Sequence, residues 1–334
     1  MIGRYHPAMS APAPEIPRFR LFDVPSPIAP LPRLSAALGG RAEIWVKRED
    51  LLPLAFGGNK LRNLEFLLGA ALAGGADALV TSGRRWSNHC RLTAAAGARA
   101  GLAVELVLSG PPASTPGPGV RLMKAFGATV HQLATADREA REAEVARIAR
   151  DIAARGGRPY VIEVGGSSVL GAHGQSLAGH ELFDQADARG LTLDRIVVPS
   201  ATGGTQAGLI AAAAGRSPRT RVAGVIVARP ASELRPAIGS ILRGLDREGA
   251  AGVSRDQAID LDESQLGDGY GRPTAEGAEA SDLLARTEGI LVDPIYTAKA
   301  LASLVAQVRA GAWDDERIVF WHAGGLPGIF EPLD

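Results

Sequence analysis

Short runs rich in β-branched residues alternate with longer alanine-rich stretches along most of the 334-residue chain. EIWVK (43–47), ALVTS (78–82), AVELVLS (103–109), ATVHQL (128–133), PYVIEV (159–164), RIVVPS (195–200), RVAGVIVA (221–228) and RIVFWH (317–322) read as strands. Candidate helices fill the gaps: Asn59–Gly74, Asn88–Gly101, Ala136–Gly156, Ala172–Gly190, Thr205–Gly215, Ser232–Arg247, Thr274–Glu288 and Thr297–Ala310. Several of them close on glycine, which takes the left-handed turn that ends a helix without steric cost. The strands show little apolar/polar alternation. Strands apolar on both faces, joined by helices, predict an open, mostly parallel α/β sheet covered on both sides. No repeat of 20–50 residues is present, which counts against a solenoid. PPASTPGPG (111–119) reads as a surface loop, and GGRP (156–159) is a second candidate break.

Composition narrows the class. At about 150 residues per domain, the length predicts two domains. Lys and Arg number 36 and Asp and Glu 36, so the formal net charge is zero. A duplex nucleic-acid binder or a polybasic membrane-surface protein needs surplus cations, so neither partner is expected. No run approaches the ~18 apolar residues of a membrane span. The first residues, MIGRYHPAMSAPAPEIPRF, have no apolar core of a signal peptide, and Pro7, Pro12, Pro14 and Pro17 predict an extended arm. The single cysteine, Cys90, cannot form an internal disulfide and fits a reducing cytoplasm. These features describe a soluble cytoplasmic enzyme.

Four glycine-marked segments carry the candidate chemistry. In FGGNKLRNLEFLL (56–68), Asn59 is a suitable N-cap and Lys60 sits in the first helical turn. The helix dipole and desolvation there lower an amine pKa and make Lys60 a candidate imine-forming nucleophile. The alternative is a surface lysine that happens to start a helix. In VTSGRRWSNHC (80–90), Ser87 and Asn88 open a helix whose free N–H groups suit a carboxylate; a capped loop without ligand is the alternative. In VVPSATGGTQAGL (197–209), Thr202-Gly203-Gly204-Thr205 leads from a strand into a helix, a phosphate cradle in form. It is neither G-x-G-x-x-G nor a Walker loop, which counts against NAD and ATP. VDPIYTAK (292–299) and FWHAGGLPGIF (320–330) place Tyr296, Thr297 and His322 at strand ends, where open α/β sheets bind ligands. His173 and His180 could share a helix face but lack a third ligand, so no metal site is expected. Cys90 reads as a small buried side chain rather than a reactive thiol.

KREDLLPLAFGGNKLRNLEFLL, SNHCRLTAAAGARAGL, ATGGTQAGL, DPIYTAKA and HAGGLPG follow one another in this order. Together they resemble the pyridoxal phosphate (PLP)-dependent D-cysteine desulfhydrase and 1-aminocyclopropane-1-carboxylate (ACC) deaminase family, from about Pro27 to Phe330. The resemblance implies a tryptophan-synthase-β-like PLP fold (fold type II): two open α/β domains with PLP in the cleft between them. Residues 1–53 plus 160–334 would form the larger domain and 54–159 the smaller inserted one. A homodimer acting on a small amino acid is implied. Lys60 matches the lysine bonded covalently to PLP, with Asn59 beside it. Asn88 matches the asparagine on the PLP phenolic oxygen. Thr202, Gly203, Gly204 and Thr205 match the phosphate loop. Tyr296 matches the tyrosine against the pyridine ring, with Thr297 near its nitrogen. Ser87 and His89 match positions near the substrate carboxylate and reacting carbons, and Tyr270, in GYGRP, matches a second tyrosine that reaches the substrate. Lys60, Ser87, Tyr270 and Tyr296 are thus the implied catalytic set.

Departures from the family pattern bear on the substrate. Deaminases of the family carry Glu where this chain has Thr297, and Leu where it has Ala323. Thr297 therefore points away from ACC ring opening, whereas Ala323 matches neither subgroup. Arg84-Arg85-Trp86 replaces the usual residues before Ser87-Asn88, and IEVGGSSVLGAHGQS (162–176) is also unusual, with Glu163, Ser168, His173 and Gln175 in place of commoner choices. Arg85 and Trp86, beside Ser87, Asn88 and His89, are candidate substrate contacts; Arg84 and Arg85 either grip a second anionic group or face solvent. The implied reaction is α,β-elimination on a β-substituted amino acid, releasing pyruvate, ammonia and a leaving group such as sulfide; the departures point to an anionic substrate such as cysteate as one option. The alternatives are ACC deamination and a relative recruited for a different PLP reaction or binding role.

Overall fold

The structure, a computed structural model, describes residues 16–112, 115–248 and 259–333. Most of the expected proline-rich arm lies outside these residues. Two sheets organise the rest. The larger joins β1 (Ile28–Pro30), β2 (Glu43–Arg48), β7 (Arg195–Ser200), β8 (Arg221–Ile226), β9 (Asp260–Asp262) and β10 (Arg317–His322) in the order β1-β2-β10-β7-β8-β9. All its pairings are parallel except that of the edge strand β1 with β2. The smaller sheet joins β3 (Ala78–Gly83), β4 (Ala103–Ser109), β5 (Thr129–Leu133) and β6 (Pro159–Val161) in the order β5-β4-β3-β6, all parallel. Every residue of β3 and of β7 is buried, which is why these strands read as unbroken runs rather than alternating ones.

Helices cover both faces of each sheet. On the larger sheet, α6 (Val169–Asp187), α7 (Gly204–Arg216) and α8 (Ala231–Arg247) bury one face through Leu182, Leu209, Ile210 and Ile238. The other face is covered by α1 (Pro32–Ala37), α9 (Ala275–Glu288) and α10 (Thr297–Arg309), through Leu34, Leu284, Leu301 and Leu304. On the smaller sheet, α2 (Lys60–Ala73), α3 (Asn88–Ala100) and α4 (Pro118–Ala125) pack Leu64, Leu68, Leu92 and Met123 against one face. The other is covered by α5 (Arg138–Ala154), through Ile148 and Ile152.

Three details differ from the expectation. The smaller sheet runs to Val161, past the expected break at 159. Residues 118 and 119, expected to end a loop, instead open α4, with Pro118 at its first turn, where a missing N–H costs nothing. The helix expected from Ala172 starts earlier, at Val169: Ser168 caps α6 by accepting from the Gly171 N–H, and the helix runs on through His173 and Gln175.

Strand order fixes where a ligand can sit. In the larger sheet β8 and β10 flank β7 on opposite sides; in the smaller sheet β4 and β6 flank β3. The chain therefore leaves each central strand in opposite directions, and a crevice opens at its carboxyl end. Those ends lead into residues 84–87 after β3, 162–166 after β6, 201–203 after β7 and 323–325 after β10.

Candidate active site

Residues from all four of these connections line one cavity of about 300 Å³, among them Ser87, Val164, Thr202 and Gly324. That volume is at the lower end of the range for small-molecule sites.

Lys60 enters it from the start of α2. The preceding turn is unusual: Ala55, Phe56, Gly57 and Gly58 all have positive φ. A side chain on Gly57 would collide with the Asp50 and Leu52 carbonyls, so glycine is required there. Arg91, buried in α3, fastens this turn by donating to the Ala55 and Gly57 carbonyls. The expected N-cap role of Asn59 is replaced by a different one. Its backbone is already helical and its side chain makes no cap. Asn59 Nδ2 instead donates to Thr205 Oγ1 at 2.8 Å, and its carbonyl accepts from Gln175 Nε2 at 2.7 Å. Burial lowers the Lys60 amine from the ordinary 10.5 to about 8.

The chain has four lysines. Lys47 donates to Glu181, Gln185 and the Ser26 carbonyl. Lys299 donates to the Leu266 and Gly269 carbonyls, and Lys124 is exposed on α4. Among the described residues, Lys60 is the lysine that lines this cavity, and it has no hydrogen bond or ion pair there.

Opposite Lys60, Gly203 turns the chain in the left-handed region and starts α7 without a side-chain cap. The Gly204, Thr205 and Gln206 N–H groups therefore begin the helix with no intrahelical acceptor, which makes them an anion cradle. Ser200 Oγ, at the end of β7, is buried without a partner and lines the same cavity. Nothing in the sequence marked Ser200, which reads there as the last residue of a strand.

Ser87 caps α3 as expected, accepting from the Cys90 N–H at 3.2 Å. Asn88 and His89 follow it into the cavity. Thr81 Oγ1 donates to the Ile162 carbonyl, so it can only accept from His89 Nε2, 2.9 Å away. His89 therefore carries its proton on Nε2 and leaves Nδ1 bare, buried and unpartnered. Burial, and secondarily the Lys60 charge, lowers His89 to about 3 and keeps it neutral. Tyr270 and Tyr296 both line the cavity and are hydrogen-bonded through their hydroxyls. Burial raises both phenols, so both stay protonated at neutral pH.

Several expected residues are placed elsewhere. Thr297 is fully buried but does not line the cavity: its hydroxyl donates to Asp293 Oδ2 at 2.5 Å. Asp293 also accepts from the Ile295, Tyr296 and Thr297 N–H groups, so this pair shapes the turn that aims Tyr296. Arg85 stacks over the Trp86 ring at 4.8 Å and donates to the Pro332 carbonyl, outside the cavity lining. Trp86 stands behind Tyr270, edge to face at 5.9 Å, as a wall rather than a contact surface. His322 donates to the Leu291 carbonyl at 2.7 Å, and its other nitrogen accepts from the Gly324 N–H; it holds the turn whose residues Ala323 and Gly324 line the site. His173 pairs with Glu248.

The comparisons with known proteins bear directly on this constellation. Residues 20–324 match the family model described as "Pyridoxal-phosphate dependent enzyme". The chain belongs to the pyridoxal-phosphate dependent enzymes. Relatives named D-cysteine desulfhydrase, from Salmonella choleraesuis (strain SC-B67) and Salmonella typhi, are each 40% identical over 319 residues, covering 94% of this chain and 95% of theirs. A solved structure of an ACC deaminase homologue is 33% identical, covers 95% of this chain and 94% of its own, and superposes with a TM-score of 0.87. The processed form of threonine deaminase isoform 2 from Solanum lycopersicum shares the fold at 19% identity and a TM-score of 0.62, covering 90% of this chain and 79% of its own. The fold is thus the type II PLP fold. The cavity of this PLP-dependent enzyme fits its cofactor: a free lysine amine, an uncapped helix start for the phosphate, and the unpartnered Ser200 hydroxyl. No helix among the described residues is long and apolar enough to cross a membrane.

Proposed function

We propose that this chain catalyses α,β-elimination on a small β-substituted amino acid, in the manner of a D-cysteine desulfhydrase. The observation that carries the reading is the free Lys60 amine facing an uncapped Gly203–Thr205 cradle across one small cavity. Lys60 would hold PLP, with Gly203, Gly204 and Thr205 on its phosphate. Asn88 and Tyr296 would flank its ring. Bound PLP supplies the electron sink for charge developing at the substrate Cα.

The chain's own residues do the rest. Once released to the substrate's side, the Lys60 amine is a base matched to neutral pH, because burial holds it near 8. It takes the Cα proton. The start of α3 at Ser87 and Asn88 offers N–H groups to the α-carboxylate and fixes the amino acid's orientation. His89, neutral, presents Nδ1 as a hydrogen-bond acceptor. Protonated Tyr270 and Tyr296 form a coupled pair of phenols able to donate toward a departing group. The product is 2-aminoacrylate, which water converts to pyruvate and ammonia.

The finer parts of the reading are a reducing cytoplasmic location, supported by the single, buried Cys90, and a homodimer, supported by the family resemblance. Light scattering on the purified protein tests the second. The reaction is tested by incubating holoenzyme with D-cysteine and measuring pyruvate and sulfide. Equimolar products support it. Absence of pyruvate from D-cysteine, L-cysteine and 3-chloroalanine alike contradicts it. Release of 2-oxobutyrate from ACC in the same assay would instead support the deaminase reading.

A further inference from the structure

Four arginines converge on the active cavity from both sides of the cleft. Arg84 follows β3, Arg138 and Arg141 stand on α5, and Arg229 follows β8; all four line it beside Lys60. Their engagements differ. Arg138 is mostly exposed and paired with Glu142 at 2.7 Å. Arg84 donates to the Ser109 carbonyl at 3.2 Å, a neutral acceptor that leaves its charge uncompensated. Arg141 and Arg229 have no side-chain hydrogen bond or ion pair among the described residues. Arg141 Nε is, moreover, buried without a partner.

Guanidinium groups carry charge at any physiological pH, and like charges repel. Burial lowers Arg141; Glu142 opposes that, and Arg229, Arg84 and Arg138 add to it by repulsion. Burial and Arg138 likewise lower Arg229, against Glu233 and Glu142. Glu233 also lines the cavity but makes no direct ion pair with Arg229. With Glu142 and the exposed Glu163 on the adjoining cavity, three carboxylates thus stand among four guanidiniums. Three of those guanidiniums have planar donor forks that nothing anionic fills.

A second cavity, of about 660 Å³, shares Arg138, Arg141, Val164, Thr202 and Arg229 with the first. Arg138, Arg141 and Arg229 therefore stand where the two cavities adjoin. The phosphate cradle at the start of α7 is a separate group of donors, and so is the carboxylate-binding start of α3. Two anions are accounted for without the arginines.

We infer that Arg84, Arg141 and Arg229 form a subsite for a third anion, a sulfonate- or phosphate-type oxyanion on the substrate side chain, so that the preferred substrate is an acidic β-substituted amino acid. The inference rests on the elimination proposed above and names its substrate class. It also relocates the second-anion site: Arg85 is committed to Trp86 and Pro332, and Arg141 and Arg229 replace it. For a 3-sulfonate, the Cα–H and Cβ–S bonds break and the Cα–H electron pair becomes the Cα=Cβ bond. Sulfur leaves with the Cβ–S pair as sulfite. Cysteate and water then yield pyruvate, ammonium and hydrogen sulfite, with no external oxidant or reductant.

The test compares kcat/KM of the holoenzyme on cysteate and O-phosphoserine with that on 3-chloroalanine and cysteine, using both enantiomers of each. PLP affinity is measured in parallel from its absorbance. Wild type is expected to prefer an acidic member by tenfold or more. Arg141→Met and Arg229→Met should each cut that preference by about 10- to 100-fold, as expected for a lost charge-assisted contact, and leave PLP affinity unchanged. Arg141→Lys should restore part of it. Turnover of neutral substrates with no acidic preference overturns the inference and leaves the elimination standing. Equal losses on both classes together with weakened PLP binding also overturn it, because the arginines would then serve the cofactor phosphate. Turnover of no amino acid overturns the elimination itself, and this inference with it.

Discussion

Asn59 Nδ2 donates to Thr205 Oγ1 at 2.8 Å, joining the residue before Lys60 to the first turn of α7. The bond spans the cleft between the two sheets and sets the lysine against the phosphate cradle. Gln175, fully buried, braces the same point by donating to the Asn59 carbonyl and to Asn63 Oδ1. Asn59→Ala removes one buried bond and strands none of the backbone. It should cost about 1 kcal/mol in denaturant unfolding of the apoprotein. PLP affinity should fall more steeply than stability, because the bond fixes two halves of one site. Unchanged PLP affinity would mean that the two halves are held by other contacts.

Lys60 also sets a pH dependence. Only the neutral amine attacks a carbonyl, and the buried amine titrates at about 8. The rate of PLP loading into apoprotein should therefore rise about tenfold per pH unit below that value and level off above it. The ordinary lysine value is 10.5, so the unfolded chain holds the proton longer than the folded one. Between pH 8 and 10.5 the Lys60 contribution makes the apoprotein more stable as pH rises, and below pH 8 it is flat. Stopped-flow absorbance reads the first effect. Comparison of wild type with Lys60→Met in denaturant titrations across that window isolates the second.

Arg62, two residues beyond Lys60, is almost wholly buried between Glu49 and Glu181. It ties α2 to β2's exit and to α6. Arg62→Met would leave the buried Glu49 without its guanidinium partner. Removing one member of such a pair costs about 3–5 kcal/mol, far more than the pair contributes in net terms. A fall of that size in unfolding free energy is expected, with a smaller fall when Glu49 is changed to Gln in the same background.

Much of the fold is written in local pattern. Strands such as β3 and β7 are buried on both faces, so their apolar runs stand out. Elements that escaped are short or lack that signal. β9 is only the three residues Asp260-Leu261-Asp262, and α4 follows a run of Pro and Gly that reads as loop. The site divides the same way. Lys60, Ser87 and Gly203 sit at element starts marked by glycines and caps. Arg141 and Arg229 carry no such mark, because they meet only when α5 and the end of β8 are brought across the cleft. Thr297 reads toward the cofactor from its place after Tyr296, yet its nearest partner is Asp293, four residues earlier. Spacing along the chain does not reveal which side of a turn a hydroxyl takes.

The central claim is that Lys60 is the residue that holds PLP. The most direct measurement is borohydride reduction of the yellow holoprotein, followed by mass mapping of its peptides. The prediction is a single pyridoxyl adduct on Lys60 and loss of the visible band, with neither in Lys60→Ala. An adduct on Lys47, Lys124 or Lys299, or a band that survives in Lys60→Ala, would contradict it.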